Sequence, residues 1–271
     1  MRAHTYSQFQ TNGERFMEEN QVAPNFRLDG KRALITGAGR GLGLAAAHAL
    51  AHFGAEVILA ARTLSEVEAA AANITRAGGR AEAIALDIRD VSAVSEAVSH
   101  RPAFHVLVNN AGMNRTNPFL DVTQADFDDI MGLNLRASFF VAQIVARRMV
   151  EQGVSGSIIN MSSQMGHVGA ATRSVYCASK WAMEGMTKAT AIDLAPYKIR
   201  VNTVCPTFVE TPLAQNFLKN EAFRAEVLSK IKLGRIGHVD DITGAVVFLA
   251  SDASSLMTGS SMIIDGGWTA D

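Results

Sequence analysis

From residue 31 onward the chain alternates short apolar runs with longer stretches of helical spacing, and few architectures accept that pattern. The runs lie at 33–35, 57–59, 83–86, 106–108, 157–160, 199–204 and 262–264. Between them fall segments such as 42–53 and 64–76, the second opened by Thr63 as a candidate N-cap. Strands that are apolar throughout are buried on both faces, and helices between them supply the cover. The 271 residues, 48% of them hydrophobic, suit one large α/β domain. No Pro- or Gly-rich linker and no short repeat divides it. The pattern therefore predicts seven parallel strands in a doubly wound sheet of the Rossmann type, with helices on both faces.

The first run leads into Thr36-Gly37-Ala38-Gly39-Arg40-Gly41-Leu42-Gly43 and then a helix. A strand turning sharply into a helix whose first amides face a pyrophosphate has no room for side chains at the turn. The second run ends near Ala60-Ala61 and is followed by Arg62, where many dinucleotide sites carry an acidic residue for the ribose hydroxyls. Guanidinium groups at Arg40 and Arg62 suit a 2′-phosphate better than a bare diol. NADP(H) is expected ahead of NAD(H).

Tyr176 and Lys180 lie four apart in an Ala-rich helical stretch, 174–195, so both project from one helical face. A phenol loses its proton near pH ~10, and a shift of about three units, ~4 kcal/mol, makes it a base near neutrality. One ammonium about 4 Å away supplies a comparable amount at an effective dielectric near 20. The pair is thus sufficient, in principle, as a proton carrier.

Its neighbours add Asn109-Asn110-Ala111-Gly112 after the fourth run, Asn134 on the helix after residue 123, and Ser162-Ser163 after the fifth. With Asp87-Ile88 after the third run and Ile264-Asp265-Gly266-Gly267 near the end, the chain resembles the short-chain dehydrogenase/reductase family over residues 30–267. The resemblance implies that Asn134, Ser163, Tyr176 and Lys180 form a catalytic tetrad. Tyr176 would exchange the proton with the substrate oxygen and Ser163 would bond the same oxygen. Lys180 would lower the Tyr176 pKa and hold the nicotinamide ribose, and Asn134 would position a water that links Lys180 to solvent. It also implies cofactor contacts from Gly37, Gly39, Arg40, Gly41, Leu42 and Gly43. Further contacts would come from Arg62, Asp87, Ile88, Asn110, Ala111 and Gly112, and from Pro206, Val209 and Thr211. Where the family usually carries Pro-Gly, this chain has Pro206-Thr207, so a β-branched side chain is expected either to reshape the floor of the substrate pocket or to move the nicotinamide slightly.

Residues expected to face substrate are Ser163, Arg115, Gln164, His167, Arg173 and Thr207, most of them polar. Arg115 completes an Asn-Ala-Gly-x-x-Arg pattern similar to members that act on sugar acids. The stretch 208–237 breaks the alternation and is expected to form one or two short helices that act as a lid. Together these point to a secondary alcohol or ketone of the sugar, polyol or sugar-acid class. The alternatives are a 3-oxoacyl thioester reductase and a non-catalytic dinucleotide sensor.

Other classes find little support. Ser163 lacks the G-x-S-x-G context of a serine hydrolase, and no His/Cys/Glu set has metal-ligand spacing. The 25 basic and 26 acidic residues give a formal net charge of −1, with no basic stripe for nucleic acid. Only Cys177 and Cys205 occur, which fits a reducing compartment, and a cytoplasmic location is expected. Residues 1–27 are polar, with Glu14, Glu18 and Glu19, lack the apolar run of a signal peptide or membrane span, and are expected to form an N-terminal arm. Small residues Ala178, Ala182 and Gly185 on the Tyr176 helix, and the family's habit, predict a homotetramer.

Overall fold

In the computed structural model, which describes residues 23–270, the first apolar run becomes β1 (Arg32–Thr36), paired in parallel on both sides. Its neighbours are β2 (Glu56–Ala61) and β4 (Val106–Asn109). Outside them lie β3 (Arg80–Ala85), β5 (Gly156–Met161), β6 (Ile199–Pro206) and β7 (Ser261–Ile264). The order is β3-β2-β1-β4-β5-β6-β7 and every pairing is parallel. The expected seven-stranded doubly wound sheet is therefore what forms. Strand order reverses between β1 and β4, which leaves a crevice at their carboxyl ends.

Successive side chains leave a strand on opposite faces, and the core follows that alternation. Ala33 and Ile35 of β1 with Val57 and Leu59 of β2 pack under α1 (Gly41–His52), α2 (Leu64–Arg76) and α9 (Asp240–Ala250). Leu34 and Ile58, between them, face α3 (Val91–Ser99), α5 (Ser138–Glu151) and α6 (Ser174–Leu194). Each fully buried aliphatic side chain contributes about 1.5–3 kcal/mol. One expectation needs correcting: β3 is not apolar throughout. It alternates exposed and partly buried positions because it is an edge strand, covered incompletely.

Thr63 does occupy the N-cap position of α2 in extended backbone, but its side chain makes no capping bond. Asp90 caps α3 by accepting the Ser92 and Ala93 N–H groups, each at 3.0 Å. α4 (Gln124–Met131) runs through a π turn, Gly132–Ala137, into α5. This continuous helix is long and apolar enough to cross a bilayer by composition, yet Val141, Val145 and Met149 are buried in the core.

The stretch 208–237 forms α7 (Pro212–Leu218) and α8 (Glu221–Lys230), two short helices as expected. It has a small core of its own, Val227, Ile231 and Ile236, against Phe208, Phe223 and Trp268. Of the expected N-terminal arm, residues 1–22 lie outside the described residues, and Phe26 packs near Phe248 with ring centroids 6.4 Å apart.

Candidate active site

The glycine loop is closed by backbone contact. A Cβ added at Gly43 would lie 2.4 Å from the Gly37 carbonyl oxygen and 2.5 Å from Asn110 Nδ2. Gly41 has φ +59°, in the left-handed region that favours glycine. The buried Thr36 hydroxyl accepts the N–H groups of Asn110 and Ala111 at 3.0 and 3.1 Å. Asn110 Nδ2 in turn donates to the carbonyls of Thr36 and Gly37 at 3.0 and 3.2 Å. The ends of β1 and β4 are thus stapled together around the loop, and Thr36 is a member that spacing alone does not reveal.

Over this staple opens a cleft of about 390 Å³. Gly37, Gly39, Arg40, Gly41 and Leu42 form one wall, with Arg62 at the corner. Asp87, Ile88, Asn110, Ala111 and Gly112 continue it to Tyr176, Lys180 and Thr211. A chain of small and backbone-rich positions leading from two arginines to Tyr176 fits an extended dinucleotide. Neither Arg40 nor Arg62 makes an ion pair among the described residues, which leaves both guanidinium groups available to a phosphate. Arg89 and Glu66 also reach the cleft, and sequence reasoning missed both. Three other expected cofactor residues adjoin this lining. Gly43 lies behind the wall, packed on Gly37, while Pro206 and Val209 face a second cavity.

The expected tetrad residues come from three elements. Tyr176 and Lys180 sit one turn apart on α6, with Lys180 Nζ 5.6 Å from the Tyr176 ring centroid. Lys180 is buried and donates to the Met161 carbonyl at the end of β5, 2.8 Å away. Burial pulls its pKa down to about 8, while Cys205 and Glu184 act in the opposite sense. The expected lowering of Tyr176 is not what these surroundings produce. Burial pushes the phenol above its ordinary value, and hydrogen bonding from Ser163 opposes this only in part.

Ser163 caps a short 3-10 turn, Gln164–Gly166. Its hydroxyl accepts the Met165 N–H at 3.1 Å and donates to the Pro206 carbonyl at 3.5 Å. Asn134 is fully buried in the π turn. Its Oδ1 accepts the Met113 N–H at 2.8 Å, and its Nδ2 donates to the Met113 carbonyl and Ser179 Oγ at 2.9 and 3.1 Å. Its direct contacts therefore tie the loop after β4 to α6, and the π turn is a feature often found at functional sites.

A second cavity of about 140 Å³ adjoins Tyr176 and Ser163 and shares Leu42, Ser162, Tyr176 and Thr211 with the cleft. Gln164, Arg173 and Thr207 line it as expected, with Asn114 and Phe208. Thr207 has an ordinary negative φ, so its backbone is unstrained. Its Oγ1 has no hydrogen-bond partner among the described residues.

Arg115 does not reach this cavity. Asp126 and Asp129 hold its guanidinium at 2.9 and 2.6 Å on the outer surface, and the preceding Asn114 faces inward instead. These carboxylates keep its pKa raised. His167 also turns away. Its Nε2 lies 3.4 Å from Cys205 Sγ and 3.9 Å from Glu184 Oε1, beneath the pocket floor. Burial and the adjacent Glu184 charge push the Cys205 thiol up to about 12.

The family model described as enoyl-(acyl carrier protein) reductase matches residues 37–269. D-erythrulose reductase of Gallus gallus is 40% identical, covering 91% of this chain and 99% of that protein. L-xylulose reductase of Bos taurus is 39% identical over 91% of this chain and 99% of its own length. Among solved structures, a gluconate 5-dehydrogenase from Burkholderia cenocepacia in complex with NADP and tartrate superposes with a TM-score of 0.87. It is 36% identical, with 92% of this chain and 98% of that chain covered.

Proposed function

The chain belongs to the short-chain dehydrogenase/reductase family, and on that premise we propose that it interconverts a small polar ketone and its secondary alcohol with NADP(H). The substrate is of the sugar, polyol or sugar-acid class, as the names of the erythrulose, xylulose and gluconate enzymes state for those proteins. The observation that carries this reading is the second cavity. At about 140 Å³ it falls well below the ~300–1,000 Å³ typical of sites for drug-sized ligands. Asn114, Gln164, Thr207 and Arg173 offer hydroxyls and carboxylates several partners. A volume of about 140 Å³ is small for a long acyl chain, which disfavours the thioester alternative.

Arg40 and Arg62 would hold the 2′-phosphate, the loop amides the pyrophosphate, and Lys180 the nicotinamide ribose. The bound dinucleotide supplies or accepts the hydride. Ser163 and Tyr176 hydrogen-bond the substrate oxygen, and Tyr176 gives it a proton in reduction or takes one in oxidation. A phenol raised by burial is protonated at neutral pH, the form that donates during ketone reduction. A panel of tetrulose and pentulose ketoses, sugar keto-acids and 3-oxoacyl thioesters tested with NADPH checks the assignment. Turnover of ketoses or keto-acids is expected, and turnover confined to the thioesters would overturn it.

We also propose assembly as a homotetramer in the cytoplasm. Ala178, Trp181, Gly185 and Ile192 form an exposed stripe on α6, with Trp181 and Ile192 53% and 76% exposed. Burying that stripe against another copy removes apolar area from water. Light scattering that gives a monomer's mass would refute the assembly.

A further inference from the structure

Behind the floor of the substrate pocket, three side chains of different chemistry converge. His167 follows the 3-10 turn after β5, Glu184 lies on α6 and Cys205 on β6. They are 38 and 21 residues apart along the chain, which is why linear spacing gave no metal set. In space, Cys205 Sγ is 3.4 Å from His167 Nε2 and 3.4 Å from Glu184 Oε1. The remaining edge, His167 Nε2 to Glu184 Oε1, is 3.9 Å. Zinc bound tetrahedrally at about 2.3 Å from sulfur and about 2.0–2.1 Å from nitrogen and oxygen holds such donors about 3.3–3.6 Å apart. The three observed edges are close to that triangle without rearrangement.

The second carboxylate oxygen supports the geometry. Glu184 Oε2 accepts the hydroxyls of Thr203 and Ser261 at 3.0 and 2.5 Å, which orients Oε1 toward the sulfur and imidazole. Outer partners that fix a ligating carboxylate in this way are a regular part of metal centres. Glu184 and Cys205 are buried, whereas the His167 side chain is 25% exposed and offers the way in. Lys180, on the same helix one turn before Glu184, is the opposing charge nearby, and it is occupied by the Met161 carbonyl. None of the three donors belongs to the tetrad or lines the substrate cavity.

We propose that His167, Glu184 and Cys205 form a three-ligand site for a zinc-class divalent cation, with the fourth position open to water. Binding releases the Cys205 thiol proton to solvent and forms a metal–thiolate bond; no redox change is involved. A site of this composition takes a soft, imidazole- and thiolate-preferring ion ahead of Mg²⁺ or Ca²⁺. It bears on the reaction through the chain itself. Cys205 precedes Pro206, whose carbonyl receives the Ser163 hydroxyl, so the cation modulates the pocket floor and takes no part in the chemistry.

Titration of the full-length, thiol-reduced protein with Co²⁺ tests this. The expected result is a thiolate-to-cobalt charge-transfer band with tetrahedral ligand-field absorption, both removed by Zn²⁺. Cys205→Ser should abolish the charge-transfer band, and His167→Gln should weaken binding at least about tenfold. Cys177→Ser should leave both unchanged. Absence of the band in the wild-type protein overturns the site, as does a band that survives Cys205→Ser or disappears with Cys177→Ser. If Cys205→Ser does not fold, His167→Gln decides alone: unchanged Co²⁺ affinity refutes the proposal.

Discussion

The dinucleotide cleft and the substrate pocket share the Tyr176 wall, yet they are held by different forces. The cleft rests on backbone: glycines pressed against carbonyls, and Thr36 and Asn110 stapling two strand ends. The pocket's outer side rests on side chains. Arg173 lies over the rings of Phe208 and Phe223 at 5.8 and 5.1 Å, and Phe208 stacks on Trp268 at 5.9 Å. Arg235 anchors the far end of this segment in a two-bond ion pair with Asp241, at 2.6 and 2.8 Å. A backbone cradle tolerates almost no change in side-chain identity at its closest approaches. A stack over a small satellite core can be rebuilt with other residues, and so can alter the substrate while the cofactor site persists.

Four measurements break or sharpen that contrast. Tyr176 belongs to both regions, so Tyr176→Phe should lower kcat by about 10²–10⁴-fold. NADPH affinity, followed by nucleotide fluorescence, should be nearly unchanged. Wild-type turnover in this variant would remove Tyr176 from the chemistry.

Arg40→Ala or Arg62→Ala should act on the cleft alone. Loss of a charge-assisted contact of about 1.5–3 kcal/mol raises KM for NADPH by about 10–100-fold. The KM values for NADH and for the ketone should stay nearly unchanged. Equal effects on both nucleotides would mean that the arginines do not read the 2′-phosphate.

Lys180 makes the cost of the shared wall measurable. Its pKa in the folded chain, about 8, lies below the unfolded value of 10.5. Below pH 8 both states carry the charge and the folded state bears its full burial penalty. Between pH 8 and 10.5 only the unfolded chain still binds the proton, so stability rises with pH across that window. Lys180→Met should therefore abolish activity while stabilising the fold at pH 6–7. The gain is at most about 3 kcal/mol and is reduced by the lost bond to the Met161 carbonyl. The gain should fade toward pH 10.5. Thermal melts that show equal or lower stability at pH 6.5 would contradict the assigned penalty.

The smallest effect belongs to the stretch 208–237. Phe208→Ala removes the ring between Arg173 and Trp268. The KM for the ketone should rise about tenfold, or 1.4 kcal/mol, with the KM for NADPH unaltered. A change in both would show that the two regions are mechanically coupled.

Much of the cleft was legible in the chain because its determinants are local. Gly37 to Gly43 fall within one strand–turn–helix unit, and Tyr176 and Lys180 within one turn of helix. What escaped was lateral: Thr36 reaching Asn110 across the sheet, the π turn around Asn134, and Glu66 and Arg89 entering from neighbouring elements. The pocket was harder to read, since the direction of a loop side chain has no periodic signature. Asn114 faces in and Arg115 out because Asp126 and Asp129 wait on the outer side, eleven and more residues along the chain.

The sequence by itself determined the doubly wound sheet, the glycine cradle and the placing of Tyr176 and Lys180 one turn apart on a helix. Hydrophobic period, chain turn and helical repeat act over a few residues, and each leaves its mark in order along the chain. Only the tertiary structure decided which polar groups line the small cavity, that Lys180 is committed to the Met161 carbonyl, and that His167, Glu184 and Cys205 meet behind it. Those outcomes depend on distances between residues carried by separate strands and helices, and packing sets such distances where spacing along the chain cannot.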